Sequence, residues 1–155
     1  EATRDSLVAV SAGLDFQMGG PAVELLKPGF VPRRTLYGFI NRMDVDPLLT
    51  TFDFPNPAAT SGQRETTTVA PQSLYLMNNA FVEEASRRLV QRADVVDAAA
   101  TEGRLQRLYA LLFARPASSQ ELALAQEFLG EDVNLEKWTR YAQALLMGNE
   151  FVFLD

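Results

Sequence analysis

Apolar residues recur at the spacing of an α-helix through the second half of the chain. Between residues 102 and 114 they fall at i, i+3, i+4, i+7 and i+8, which places them on one helix face. The same periodicity predicts helices over 80–93 and 119–129, and a last long helix between Asn134 and Gly148. The side chains predicted to face the core are Val82, Ala85, Leu89, Ala93, Leu105, Leu108, Tyr109, Leu112, Phe113, Leu122, Ala125, Phe128, Leu129, Leu135, Trp138, Ala142, Leu145 and Leu146.

Residues that can cap helices stand before several of these segments. Ser118 and Glu121 have the Ser-x-x-Glu spacing of a capping box, in which each side chain bonds the other residue's backbone N–H. Asn79, Thr101 and Asn134 stand where a side-chain oxygen can accept a hydrogen bond from the first free N–H groups of a helix. The apolar faces and the capping residues predict the same helices, so we expect these helices to pack as a bundle.

The first half is rich in proline and glycine, and its periodicity is weaker. Seven of the eight prolines precede residue 72. We predict a helix over 2–15, a short helix over 47–52 that Asp46 caps, and a helix over 71–78. The segment 34–42 suits either a strand or a buried helix, and the remainder is predicted to be loop.

These elements predict a mainly α fold, a bundle of about five helices with a long irregular loop layer in the first half. A small β-hairpin in that half is an open alternative. With 155 residues, 47% hydrophobic and 22% charged, the chain suits a single domain over residues 1–155. Within it we distinguish a loop-rich half, 1–70, from a helical half, 71–155.

The chain contains no cysteine and no histidine. This composition excludes disulfides, thiolate nucleophiles, zinc–thiolate sites, iron–sulfur clusters, Ser-His-Asp triads and histidine-ligated haem. Carboxylates, lysine, tyrosine, serine and calcium sites remain available for chemistry. We therefore expect no cofactor in this chain.

The net charge of −6 argues against binding to nucleic acid or to an anionic membrane surface. No apolar run approaches the roughly 20 residues that span a bilayer, so we expect no membrane insertion. The first residues lack the basic region and apolar stretch of a signal peptide, and they suggest a fragment of a larger protein.

The densest polar region lies between residues 53 and 72 and supplies the candidate catalytic residues. Asp53 and Glu65 are a candidate carboxylate pair, as in glycoside hydrolysis, with Arg64 and Gln72 beside them. The competing interpretation is structural: Asp53 caps a turn between prolines, and Glu65 pairs with an arginine. The sequence leaves both open, with the structural role favoured.

Other polar residues are candidates for ligand binding. Asp44, Asp46 and Asp53 are oxygen donors that suit calcium, but their spacing matches no EF-hand and Asp46 is already explained as a cap, so we predict no metal site. Arginines 33, 34 and 64 can bind an anion, or alternatively tie a loop to acidic side chains. The candidate ligand-binding residues are Arg33, Arg34, Asn56, Thr67 and Asn78.

Several segments together resemble one known family. They are RRTLYGFINR (33–42), TTFDFPNP (50–57), RETTTVAPQSLYLMNNAFVEEA (64–85), LFARPASSQELALAQEFL (112–129) and LLMGNEFVFLD (145–155). In this order, and over essentially the whole chain, the sequence resembles the C-terminal portion of the planctomycete-type domain of unknown function 1553 (DUF1553), the PSD-type domain of planctomycete cytochrome-c-associated proteins.

The resemblance implies the C-terminal part of a large multidomain bacterial protein in an exported or periplasm-like setting. Its partners would be the upstream domains of that protein. The family supplies no established activity and no agreed catalytic residues. Our first hypothesis is an accessory module that packs on those domains or binds a partner or a polymer such as polysaccharide. Our second is part of a carboxylate-dependent hydrolase whose site is completed by upstream residues.

Overall fold

The structure, a computed structural model, describes residues 1–25, 30–60, 62, 70–131 and 133–152. Among these residues nine α-helices are found, and five of them have eleven residues or more. The mainly α fold, with about five long helices, is thereby confirmed. The helices are α1 (Ala2–Ala12), α2 (Pro47–Thr51), α3 (Ala70–Asn78), α4 (Ala80–Val90), α5 (Ala93–Val96), α6 (Ala100–Phe113), α7 (Ser119–Leu129), α8 (Leu135–Leu146) and α9 (Asn149–Val152).

One hydrophobic core joins α1, α3, α4, α6, α7 and α8. Its centre lies where α4 packs along α8, with α1 on the other side of α4. The stripes predicted on α4, α6 and α8 supply fully or almost fully buried residues, so the periodicity located the core correctly. These buried residues are Val82, Ala85, Leu89, Leu105, Leu108, Tyr109, Trp138, Ala142 and Leu146.

Three residues predicted to face the core are exposed: Ala93, the first residue of α5, Phe128 and Leu135. Phe128 is 51% exposed and Leu135 is 45% exposed. On α7 the buried stripe is narrower than predicted: Ala125 and Leu129, at i and i+4, fill it, and Phe128 lies at its edge beside Tyr141. Leu135 is the first residue of α8 and therefore lies at the end of the core.

Several helix boundaries differ from the prediction. α1 ends at Ala12 rather than residue 15, because Gly13 takes the positive φ of 78°. The segment predicted as one helix over 80–93 ends at Val90, and α5 follows it as a separate turn. α6 begins at Ala100, so Thr101 lies inside the helix and does not cap it. The caps at Asp46, Asn79, Ser118 and Asn134 are present, each with its side-chain oxygen accepting a backbone N–H.

The first half forms an irregular layer over α1 and α4. We call residues 13–25 and 30–46 the loop layer. It contains a 3₁₀ turn, Thr35–Tyr37, where a strand or a buried helix was predicted. Its described residues form two isolated parallel bridges, Asp15 with Arg33 and Val23 with Gly38, and no sheet.

Gly38 explains the second bridge and the 3₁₀ turn. A Cβ atom at Gly38 would lie 2.3 Å from Cδ1 of Leu25, closer than real contacts allow. The absent side chain lets Val23 donate its N–H to the carbonyl of Tyr37 at 2.9 Å and accept one from Phe39 at 2.8 Å. The contact between residues 23–25 and 37–39 thus depends on a glycine at position 38.

Candidate functional site

A cleft of about 530 Å³ opens between the loop layer and α2. Its volume lies within the range of about 300–1,000 Å³ that small-molecule sites occupy. Its polar lining comprises Glu24, Asn41, Asp44 and Asp46, and Phe39, at 61% exposed, stands in its lining. Because three of the polar lining residues are carboxylates, we call it the acidic cleft.

Local hydrogen bonds build the walls of the acidic cleft. The bridge between Val23 and Gly38 places the residues that follow them, Glu24 and Phe39, in the lining of the same cleft. On the opposite wall, the Oδ1 atom of Asp46 accepts the N–H of Leu48 at 2.8 Å, which fixes this carboxylate at the N-terminus of α2. Proline at the first helical position, with Asp before it, is the sequence signal for this start.

The acidic cleft presents acceptors beside an aromatic face. No lysine or arginine is among its described lining residues. Within the described part of the chain, no three acidic side chains are grouped so as to hold a metal ion. The arrangement therefore suits a ligand with hydroxyl or amine donors and an apolar face that stacks on a ring.

A second cleft of about 310 Å³ shares one lining residue, Val45, with the acidic cleft. We call it the second cleft. Its lining includes Arg42, Thr50, Phe54 and Asn56. Asn56 was a candidate from the sequence, and its Oδ1 atom accepts the N–H of Ala58 at 2.9 Å.

The candidate catalytic residues do not line either cleft where the structure describes them. Asp53 has a φ of 55°, and the next residue, Phe54, donates its N–H to the carbonyl of Leu49 at 3.0 Å. This bond is that of a Schellman-type helix end, which needs one left-handed residue after the helix. Gln72 is 4% exposed and its Nε2 donates to the carbonyl of Thr51 at 3.1 Å. Both positions thus have structural roles around α2.

The other candidates are scattered. Arg33 donates to the carbonyls of Gln17 and Gly19 and lies 4.3 Å over the ring of Tyr37, so it holds the loop layer together. Arg34 is half exposed, and its Nε lies 3.9 Å from Asp5. Asn78 is exposed and its amide donates to the carbonyl of Leu74. Arg64, Glu65 and Thr67 lie outside the described residues, so the carboxylate pair stays a prediction.

The strongest pKa shifts among carboxylates occur away from both clefts. Hydrogen bonds from Arg92 and Arg107 hold the pKa of Asp94 well below its usual range. Hydrogen bonds from Arg115 and then from Ser118 lower the pKa of Glu121 to about 2. These shifts come from ion pairs between helices, a structural rather than a catalytic cause.

One tyrosine connects a pKa shift to the acidic cleft. Burial, and secondly the negative charge of Asp46, raise the pKa of Tyr75 to about 12. Its ring also meets that of Phe52 edge-on, with centroids 6.4 Å apart. Tyr75 therefore stays neutral, and it feels the charge of Asp46, which lines the cleft.

A buried arginine that sequence reasoning missed attaches the loop layer to α1. Arg4 is 1% exposed, and its Nη1 donates to the carbonyl of Arg33 at 2.9 Å. Its Nη2 donates to the carbonyl of Val31 at 2.8 Å and, at 3.5 Å, to that of Leu25 in the cleft wall. Burial lowers the pKa of this guanidinium. Arg4 precedes the buried Leu7 by three residues, so the two lie on the same face of α1. This spacing was the sequence signal for the burial of Arg4.

Asp5 acts beside Arg4 in the same attachment. Its Oδ1 accepts the N–H of Thr35 at 2.7 Å and the hydroxyl of Thr35 at 2.6 Å. Asp5 thereby holds the start of the 3₁₀ turn. The first turn of α1 thus holds both segments that the Val23–Gly38 bridge joins, one through Leu25 and the other through Thr35.

These features define a mainly helical domain whose irregular first half carries the acidic cleft and the second cleft. The chain belongs to the PSD1 family, described as a protein of unknown function (DUF1553), whose model matches residues 1–129. Both clefts and the contacts of Arg4 lie within the matched residues, whereas α8, α9 and the segment 145–155 lie beyond them. No curated protein and no solved structure matches the chain. Within the described residues, no helix combines the length and the apolar character needed to cross a membrane.

Proposed function

We propose that this chain is an accessory interaction module of a large exported bacterial protein, and that its acidic cleft binds a neutral polysaccharide. The observation that carries the proposal is the exposed ring of Phe39, which lies in the same cleft as Asn41 and the three carboxylates. The resemblance to domains of multidomain bacterial proteins supports the accessory role and the upstream domains as neighbours.

The chemistry of the cleft favours a sugar over an anion. A pyranose ring has an apolar C–H face that packs on an aromatic ring, and hydroxyl donors around its edge. The carboxylates of Asp44 and Asp46 and the amide of Asn41 can accept from such donors, and bonds to ionised acceptors are the stronger ones. A uronate or sulfate group would meet like charge in the same cleft.

A binding role without catalysis fits the positions of the carboxylates. Asp46 is engaged as the cap of α2. The carboxylates with strongly lowered pKa values, Asp94 and Glu121, lie in ion pairs of the helical half. The hydrolase hypothesis depends on Glu65 and Arg64 and on upstream residues.

Affinity electrophoresis in gels that contain a neutral β-1,4-glucan, or polygalacturonate, tests the proposal. We expect the neutral polymer to retard the protein and the anionic polymer not to do so. Phe39→Ala should weaken binding by roughly tenfold, on the scale of one lost stacking contact. The matched control is Phe16→Ala, since Phe16 is 73% exposed in the same loop layer and lines neither cleft.

Two results would contradict the proposal. Equal migration with and without the neutral polymer would remove the binding function. Equal weakening by Phe39→Ala and Phe16→Ala would remove the acidic cleft as its place. Release of new reducing ends from the glucan during incubation would favour the hydrolase hypothesis instead.

A further inference from the structure

We propose that the acidic cleft and the second cleft are two parts of one groove, in which successive sugar rings of a single polysaccharide chain bind. This inference rests on the proposed function and assigns a second subsite to it. The shared geometry of the two clefts carries it.

The two clefts have a wall in common. Val45 lines both. In the turn before it, Asn41 and Asp44 line the acidic cleft, whereas Arg42 and Met43 line the second cleft. The turn is closed by two bonds to Asn41, one from the N–H of Met43 to Oδ1 at 3.0 Å and one from the N–H of Asp44 to the carbonyl at 3.2 Å. One tight turn therefore separates the clefts.

Helix α2 forms a second connection between the clefts. Leu49 lines the acidic cleft, and the following residue, Thr50, lines the second. Successive helical residues point about 100° apart, so the two clefts lie on adjacent sides of the same short helix. Helix α2 therefore borders both clefts.

The second cleft complements the first in hydrogen-bonding chemistry. The acidic cleft offers mainly acceptors, whereas Arg42 offers donors and the side chains of Thr50 and Asn56 offer both kinds of group. Phe54 adds an aromatic side chain to the lining. Sugar hydroxyls both donate and accept, and every ring of a polymer repeats them, so one chain can satisfy both clefts.

The length of the ligand tests this inference. Isothermal titration calorimetry is carried out with β-1,4-linked glucose oligosaccharides of two and of six sugars. When two sites bind one molecule, the second contact is intramolecular and raises the affinity without new chemistry. We expect the six-sugar ligand to bind at least roughly tenfold more tightly than the two-sugar ligand.

Variants separate the two clefts. Phe39→Ala should weaken both oligosaccharides, since Phe39 lines the acidic cleft. The double variant Arg42→Gln, Thr50→Ala should reduce the affinity for six sugars to that for two and leave the two-sugar affinity unchanged. Arg140→Gln is the matched control, because Arg140 is 69% exposed on α8, lines neither cleft and should change neither affinity.

The possible failures are distinguishable. If neither oligosaccharide binds, the proposed function fails, and this inference fails with it. If both bind with equal affinity, or if the double variant weakens both equally, the acidic cleft binds sugar alone and only the extended groove is overturned. As a folding control, circular dichroism of each variant should give the helical content of the wild type.

Discussion

The helical half and the loop layer are held together by different kinds of contact. In the helical half, apolar stripes meet in one core in which Leu89, Leu105 and Leu146 are fully buried. The loop layer is held instead by two isolated bridges, by hydrogen bonds that Arg4 donates and by a hydrogen bond that Asp5 accepts. Hydrophobic packing is shared among many residues, whereas hydrogen bonds depend on the geometry of individual groups. The loop layer therefore depends on fewer side chains.

This difference also separates scaffold from candidate site. The acidic cleft and the second cleft lie among the loops and α2, while α4 and α8 pack against each other in the core. Binding residues are commonly found on loops that a rigid scaffold positions. The contacts between α1 and the loop layer are accordingly the place where stability and binding should be coupled.

The largest effect is expected at the buried arginine. Arg4→Met keeps much of the side-chain volume but leaves the buried carbonyls that it bonds without a donor. We expect the free energy of unfolding to fall by about 3 kcal/mol, the scale for breaking a buried charged contact. Urea unfolding followed by the fluorescence of Trp138, the single tryptophan, measures this. Hydrogen exchange at the amides of Val23 and Phe39 reports the loop layer separately.

Arg34→Met is the control for this experiment. Arg34 is half exposed, and its Nε lies 3.9 Å from Asp5, a long and solvent-screened contact. Its loss should therefore cost less than about 0.5 kcal/mol. Equal destabilisation by the two variants would show that burial of Arg4 is not what holds the loop layer. Unchanged exchange at the two bridge amides in Arg4→Met would show the same.

A matched pair of glycines gives the next largest effect. Gly38→Ala places a Cβ within 2.3 Å of Leu25, and we expect a loss of about 2 kcal/mol from this overpacking. Gly103→Ala, inside α6, meets nothing closer than 3.7 Å and should stabilise the protein by about 1 kcal/mol. Thermal unfolding of both variants measures the contrast.

The role of Leu25 in this clash can be tested directly. In the double variant Gly38→Ala, Leu25→Ala, the clashing atoms of Leu25 are gone and only the carbonyl oxygen of Thr35, at 3.0 Å, still crowds the new Cβ, so the two losses should be less than additive. Additive losses would show that the contact between Leu25 and a side chain at position 38 is not what destabilises Gly38→Ala. The same variants should lower binding of the neutral glucan, because Leu25 and Phe39 belong to the walls of the acidic cleft.

The same contrast explains what the sequence could predict. Periodicity and capping residues are local, so the helix over 119–129 was predicted with its observed bounds. The bridges of the loop layer join residues 15 to 18 positions apart, and no local pattern encodes them. Asn56 was a candidate for ligand binding, whereas Asp44 and Asp46 were considered only as calcium ligands and set aside. Glu24 and Phe39 were not recognised, because only the fold brings them together.

The smallest expected effect concerns the exposed ion pairs of the helical half. Arg115 bonds both Glu121 and Glu150, and its hydrogen bonds are the first cause of the lowered pKa of each carboxyl. The pKa of Glu121 is about 2 in the folded protein against 4.5 for the free side chain. A depressed pKa stabilises the fold at pH values above 4.5, and this contribution is lost as the pH falls from 4.5 towards 2. Because solvent screens this pair, we expect Glu121 to contribute less than about 1 kcal/mol.

Arg115→Gln isolates this contribution. Its thermal midpoint should lie below that of the wild type at pH 6, and the two midpoints should converge by pH 2, where the carboxyls are increasingly protonated. Arg87→Gln removes an arginine of similar exposure from the pair with Glu83 on α4, and it should leave the pH profile of the wild type unchanged. A constant difference between Arg115→Gln and the wild type at all pH values would mean that Arg115 acts through packing on Tyr109 and Phe113, over whose rings it lies. In that case the ion pairs of Arg115 would contribute nothing that pH can remove, and the contrast with the buried charge of Arg4 would be sharper still.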